Sequence, residues 1–185
     1  AAAAAAATTD IELWRDELWP ALLLPPNVSA AAYANDTESH VGAWLHFNFT
    51  CPGYDVNERL VACDAAGRID VLRVHANASQ WLNRTALAAS HPYYRAPPQP
   101  VPLLRGTLPS RLGELSALRE LTLPHNALVG TLPSELGALR ALKRLYVHDN
   151  ALSGTVPPQF TALRTEQLFV QLNRLHGPLP PGVLW

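Results

Sequence analysis

The chain has 185 residues, a formal net charge of −1, seventeen prolines and no methionine. This length suits one domain with an appended cap, and the near-zero charge excludes the basic stripe of a nucleic-acid-binding protein. No run of about eighteen apolar residues predicts a membrane span. Because the first residue is not methionine, we expect a processed product or a piece of a longer polypeptide.

A short helix is predicted after an N-terminal tail, which covers residues 1–9. Thr9 suits an N-cap, and Glu12 follows three residues later, the spacing of a capping box. Pro20 is expected to limit the helix. One helical stripe carries the apolar residues Ile11, Trp14, Leu18 and Leu22. We interpret residues 10–68 as an N-terminal cap for the elements that follow.

Glycosylation sequons are concentrated in the first half of the chain. Five of the six asparagines before residue 100 begin the pattern N-x-[ST], and no later asparagine does. Such sequons accept N-linked glycans in secreted proteins, so we expect an extracellular or cell-surface location reached by the secretory pathway. Unused sequons in a cytosolic protein are the alternative. The five candidate sites are Asn27, Asn35, Asn48, Asn77 and Asn83.

The two cysteines, Cys51 and Cys63, both lie in the predicted cap. An even number of cysteines beside sequons favours an oxidising compartment and one disulfide bond between them. Two reduced, buried thiols are the alternative interpretation.

The first strand is predicted within residues 69–77, after a turn at Gly67. A long insertion, residues 78–105, then carries Trp81, Tyr93, Tyr94 and several prolines. Insertions of this length in compact domains are often functional. The alternative, weighted equally, is that the insertion folds back over the cap.

Residues 106–185 repeat a pattern of about 24 residues, and the last copy is incomplete. Glycines recur at positions 106, 130, 154 and 177, and three copies follow the pattern L-x-x-L-x-L-x-x-N-x-L, with Val147 in the second copy and Thr165 and Val170 in the third replacing leucine. This is the leucine-rich-repeat signature. It predicts an α/β solenoid with short parallel strands on the concave face, an irregular or 3-10 convex side and a disulfide-containing cap.

One asparagine recurs in each copy, where the chain turns after the strand. A buried amide both donates and accepts, so this position predicts a structural ladder that satisfies the open backbone groups of the turn. Asn77 falls on the same ladder, and a buried amide cannot carry a glycan, so Asn77 is the least favoured sequon. The ladder consists of Asn126, Asn150 and Asn173.

The repeats resemble those of plant receptor-like proteins and polygalacturonase inhibitors, and equally the surface antigens of kinetoplastid parasites, whose repeats read GTLP. The Cys63-Asp64 pair before the first strand is similar to the plant N-terminal cap. Its second cysteine, however, lies twelve residues upstream rather than nearby. Repeats of this kind establish architecture rather than activity.

Strand positions that point outward predict a partner-binding surface with exposed aromatic rings, a composition typical of binding hot spots. The alternative is that these rings only cover each other. We expect partners among other proteins, copies of this chain or extracellular glycans, and no cofactor or metal. The predicted surface consists of Thr122, Arg144, Tyr146, His148, Phe169 and Gln171.

Three functions follow from these patterns. The first is an extracellular interaction module that acts as a structural or assembly component of a cell surface or polymer. The second is the ligand-binding ectodomain of a receptor, or a secreted inhibitor. The third, a glycan-processing enzyme, lacks any recognisable catalytic motif. Because the last repeat stops partway, we also expect either that the chain continues past Trp185 or that another molecule stacks on that end.

Overall fold

The structure is a computed structural model that describes residues 9–28, 61–74 and 103–182. Within these ranges no helix has both the length and the apolar character needed to cross a bilayer.

The N-terminal helix begins with the predicted capping box. The Glu12 N–H donates to the Thr9 hydroxyl at 3.3 Å, and the Thr9 N–H donates to the Glu12 carboxylate at 2.9 Å. The helix has three parts: α1 (Asp10–Leu13), a π-helical turn (Trp14–Leu18) and α2 (Trp19–Leu23).

The expectation that Pro20 limits the helix is wrong, because the helix continues to Leu23. In the π-helical turn the Trp19 N–H bonds to the Trp14 carbonyl. This wider turn restarts the α-helix, so Pro20 falls in the first turn of α2, where a missing N–H costs little. The side chains of Trp14 and Trp19 are fully buried.

Five short strands of the described residues form one sheet, in which they follow one another in chain order. The first pair is antiparallel and all later pairs are parallel. The strands are β1 (Val61–Cys63), β2 (Ile69–Arg73), β3 (Glu120–Thr122), β4 (Arg144–Tyr146) and β6 (Gln167–Phe169). A second, two-stranded parallel sheet pairs β5 (Ser153–Gly154) with β7 (Arg174–Leu175).

The core lies between the five-stranded sheet and a column of 3-10 turns. The turns cover Ser110–Glu114, Ser134–Ala138 and Pro158–Ala162. Strand register aligns one apolar residue per repeat, and each is at most 1% exposed, so burial of this row drives stacking of the repeats. The row consists of Leu72, Leu121, Leu145 and Leu168.

The cap helix docks directly on the first repeat. The N–H groups of Gly106 and Thr107 donate to the carbonyls of Leu22 and Ala21 at 2.8 and 2.9 Å. These carbonyls belong to the last turn of the helix and have no partner within it. A Cβ atom at position 106 would lie 1.7 Å from the Ala21 oxygen, so this approach requires glycine.

The asparagines of the repeats join neighbouring turns. The Oδ1 atoms of Asn126, Asn150 and Asn173 accept from the N–H groups of Leu104, Leu128 and Leu152, at 3.0, 3.0 and 2.9 Å. Each Nδ2 donates to a strand-end carbonyl of the preceding repeat. Leu104 therefore occupies the position that Leu128 has in the next repeat, and the repeat geometry already begins at Leu104.

The α/β solenoid predicted from the sequence is confirmed. Parallel strands form one side, and 3-10 turns form the other. Asn27 is exposed in the turn after α2. The other four sequons, Asn35, Asn48, Asn77 and Asn83, lie outside the described residues. Cys63 ends β1, but Cys51 also lies outside them, and the bond between the two stays a prediction.

Candidate functional site

The outward side of the five-stranded sheet forms the concave face, and strand register places its side chains in rows. One row runs through Glu120, Arg144 and Gln167. A second row runs through Arg73, Thr122, Tyr146 and Phe169. Because neighbouring parallel strands lie about 4.8 Å apart, side chains within a row are in contact distance of one another.

Glu120 is a buried carboxylate between two arginines. It is 3% exposed. Its Oε2 atom accepts from Arg73 Nη2 at 2.8 Å and from Arg144 Nε at 2.7 Å. Its Oε1 atom accepts from Arg73 Nε and, at 3.1 Å, from the Thr122 hydroxyl. Burial raises the pKa of Glu120, but the bonds from the two arginines outweigh burial and lower the pKa to about 2.

Next to this cluster lie the stacked rings of Tyr146 and Phe169. Their centroids are 4.8 Å apart and their planes are inclined by 16°. The edge of the His148 ring meets Phe169 at 6.0 Å and Tyr146 at 6.4 Å. Phe169 nevertheless stays 37% exposed, so stacking leaves a substantial part of its surface available to a partner.

Two histidines and an aspartate lie at the end of the strands. The Nδ1 atom of His125 lies 2.7 Å from a carboxylate oxygen of Asp149. The rings of His125 and His148 meet edge to face at 5.2 Å. Burial, followed by the nearby His125, lowers the pKa of His148. Its buried Nδ1 atom has no hydrogen-bond partner within the described ranges.

The geometry of this face suits binding better than acid–base chemistry. Glu120 is held as an anion, whereas a general acid or base needs a pKa near the working pH. Among the described residues no three His, Cys, Asp or Glu side chains are grouped so that they would hold a metal ion.

The predicted partner-binding residues differ in how much of their surface is exposed. Arg144, Tyr146 and His148 are half-buried on the concave face, and Phe169 and Gln171 are exposed there. Thr122 lies in the predicted row, but it is only 4% exposed and its hydroxyl bonds to Glu120. Thr122 therefore supports the ion cluster and offers almost no surface to a partner.

Sequence reasoning missed the ion cluster and one exposed leucine. Glu120 and Arg144 occupy the same position in consecutive repeats, which was a sufficient signal for an ion pair between neighbouring strands. Arg73 completes the cluster from β2, at a position where the repeat is interrupted by the insertion. Leu172, three residues after the end of β6, is 71% exposed.

Comparison with known proteins agrees with this architecture. The family model described as Leucine Rich Repeat matches residues 141–163. The sequence matches no curated protein. A plant ice-binding protein is similar in structure, with a TM-score of 0.53 and 27% identity over 75% of this chain and 37% of that one.

Plant receptor ectodomains are also similar, at lower TM-scores. The SOBIR1 receptor kinase ectodomain from Arabidopsis thaliana gives 0.46, with 26% identity over 65% of this chain and 57% of that one. PEPR1 bound to AtPEP1 gives 0.49, with 27% identity over 65% of this chain and 14% of that one. The chain thus spans less than two thirds of each of these proteins.

The repeated asparagine turns, the parallel sheet and the family match have one common explanation: the chain folds as a leucine-rich-repeat solenoid, similar to that of a plant ice-binding protein.

Proposed function

We propose that this chain is an extracellular, N-glycosylated interaction module whose concave face binds another protein. The observation that carries the proposal is the Tyr146–Phe169 stack, an ordered aromatic surface that the sheet presents to solvent. Exposed aromatic residues beside an arginine have the composition of binding hot spots. Arg144, fixed by Glu120, supplies that arginine.

Two biological roles fit such a module. In the first, the module is a structural or assembly component of a cell surface or extracellular polymer, and its partner is a matrix protein or another copy of the chain. In the second, it is a receptor ectodomain or a secreted inhibitor, and its partner is a separate ligand. The sequons, including the exposed Asn27, support the secretory route in both cases.

Glycan processing is the weakest of the roles considered. A glycosidase needs two carboxyl groups in acid and base or nucleophile roles. Glu120 is the buried carboxylate of the described concave face, and two arginines and the Thr122 hydroxyl already occupy it. The site gives Glu120 a structural role, which favours binding over catalysis.

Variants of the aromatic stack test the proposal. Partners are purified with the secreted glycoprotein, and their affinities are then measured with pure components. We expect Tyr146→Ala and Phe169→Ala each to weaken binding by about tenfold or more, as hot-spot truncations do. Thr131→Ala, an exposed residue outside the five-stranded sheet, is the matched control.

The same measurement separates the two roles. Self-association of the wild-type chain that is lost in Tyr146→Ala supports assembly, whereas binding to a different protein supports a ligand-binding role. If neither aromatic variant changes the affinity of any partner, the stack is purely structural and the proposal fails.

A further inference from the structure

His148 lies two residues after β4 and is held between three other rings. Its ring packs edge to face against Phe169 and Tyr146, with centroid separations of 6.0 and 6.4 Å. It also meets the ring of His125 edge to face, at 5.2 Å. The Nδ1 atom of His148 is buried and has no hydrogen-bond partner among the described residues. The position of the ring thus depends on packing and not on a polar contact of Nδ1.

This environment suits a neutral imidazole and disfavours an imidazolium. A neutral ring carries one N–H and can leave Nδ1 unprotonated, whereas the charged ring carries an N–H at both nitrogens. Protonation of His148 therefore places a charged donor at a buried atom for which the described chain offers no acceptor. In agreement with this geometry, burial, followed by the nearby His125, lowers the pKa of His148 from 6.5.

The nearby carboxylate does not relieve this cost. Asp149 acts to raise the pKa of His148, but its effect is smaller than those of burial and of His125. A carboxylate oxygen of Asp149 lies 2.7 Å from the Nδ1 atom of His125, so the carboxylate is already paired. The neighbours from β4, from β6 and from the residues after β6 carry no charge at neutral pH. These neighbours are Tyr146, Phe169 and Gln171.

We propose that His125, His148 and Asp149 form a pH-sensitive switch, in which the His148 ring leaves its place against Tyr146 and Phe169 in mild acid and takes up its proton in water. We call these three residues the strand-end cluster. Displacement of the ring exposes the parts of Tyr146 and Phe169 that it covers, so the shape of the concave face changes. The inference goes beyond the proposed function, because it concerns the conformation of the face and not the identity of a partner.

The direction of the switch follows from proton linkage. A His148 ring displaced into water binds its proton near the ordinary pKa of 6.5, whereas the packed ring has a lower pKa. Between these two values, each fall of one pH unit favours the displaced ring by up to about tenfold. Below the pKa of the packed ring the effect is complete. The packed ring is therefore favoured at neutral pH, and its population falls as the pH drops below 6.5.

NMR spectroscopy of the full secreted chain tests the switch without any partner. Chains labelled with nitrogen-15 and carbon-13 at histidine are titrated between about pH 7.5 and about pH 5.0, the range in which histidine changes its charge. Nuclear Overhauser contacts between the rings of His148 and Phe169 report the packed position. We expect these contacts at neutral pH, and we expect them to lose about half of their intensity or more at the acid end.

Three variants make the titration specific to the strand-end cluster. His148→Gln assigns the His148 signals and should fold, because Gln171 holds the same position in the next repeat. His125→Asn removes the neighbouring positive charge, so the contacts should be lost at a higher pH. Asparagine suits position 125, where φ is +54°. His176→Gln, an exposed histidine directly after β7, is the matched control and should leave the transition unchanged.

Several results would overturn the switch. Contacts that persist while His148 is protonated would show that the rings hold the imidazolium. Protonation of His148 at or above pH 6.5 would show that burial does not disfavour the charge. A transition that His125→Asn leaves unchanged would remove the role of the cluster, and loss of amide signals across the whole sheet would show general acid unfolding instead. Each of these results leaves the proposed function standing, because Tyr146→Ala and Phe169→Ala test that function at neutral pH.

Discussion

Asn126 joins two repeats through hydrogen bonds from both ends of its side-chain amide. Its Oδ1 atom accepts from the Leu104 N–H at 3.0 Å. Its Nδ2 atom donates to the carbonyls of Val74, Leu123 and Pro124 at 3.0, 3.2 and 2.9 Å. The substitution Asn126→Ala removes all these bonds and leaves the surrounding backbone groups without partners.

The expected loss of stability follows from the number of bonds. A carboxamide has two N–H donors, so the three carbonyls share two bonds, and the accepted bond makes a third. Each is worth about 1 to 1.5 kcal/mol net, more where a partner is left buried and unsatisfied. Because Asn126 is 9% exposed, water cannot easily replace the amide. We expect Asn126→Ala to lower the free energy of unfolding by about 3 to 4 kcal/mol.

Urea denaturation measures this loss directly. The expected loss corresponds to a fall in melting temperature of about 10 °C for a chain of this size. Asn173→Ala, where the amide is only partly buried, should cost less, because water reaches the freed groups. A loss below about 1 kcal/mol for Asn126→Ala would show that backbone contacts alone hold the turns, and would refute the reasoning.

Three further predictions concern the charge of Glu120, the N-linked glycans and the disulfide bond. The pKa of Glu120 is lowered from 4.5 to about 2, so the ionised carboxylate stabilises the folded state. This contribution is complete above about pH 4.5 and is lost as the pH falls towards 2. Glu120→Gln should therefore lower the free energy of unfolding by about 2 to 3 kcal/mol at pH 7. An equal difference between the variant and the wild type at pH 2 would contradict this. Glycosidase should lower the mass of the secreted chain, and Asn27→Gln should remove one glycan; an unchanged mass would end the secretory argument. Cys51 and Cys63 should appear as one linked peptide pair in non-reduced digests, and free thiols at both would contradict the bond.

The fold was predictable because its pattern is repeated. Three registered copies of the leucine motif place the strands, and each copy checks the register of the others. The row of Leu121, Leu145 and Leu168 follows from this spacing alone. The capping box was also predictable, because it depends only on Thr9 and Glu12, which are three residues apart. Patterns of this kind do not require knowledge of distant contacts.

The parts that were not predictable depend on contacts between distant residues or on alternative backbone geometry. The helix passes Pro20 because a π-helical turn comes first, and no residue type in that turn distinguishes it from α-helix. Arg73 and Glu120 are 47 residues apart and meet only because β2 pairs with β3 across the insertion. Thr122 was predicted to face solvent, but it is only 4% exposed and its hydroxyl donates to the Glu120 carboxylate.

The two halves of the concave face differ in what folding demands of them. At the β2–β4 end, Arg73, Glu120 and Arg144 satisfy one another, so the buried carboxylate holds both arginines in fixed positions. At the β4–β6 end, the rings of Tyr146 and Phe169 stack with their centroids 4.8 Å apart, beside the arginine that Glu120 holds in place. Since the ion cluster fixes the position of Arg144 and leaves the aromatic rings outside its ion pairs, the aromatic stack is where we expect the partner to bind.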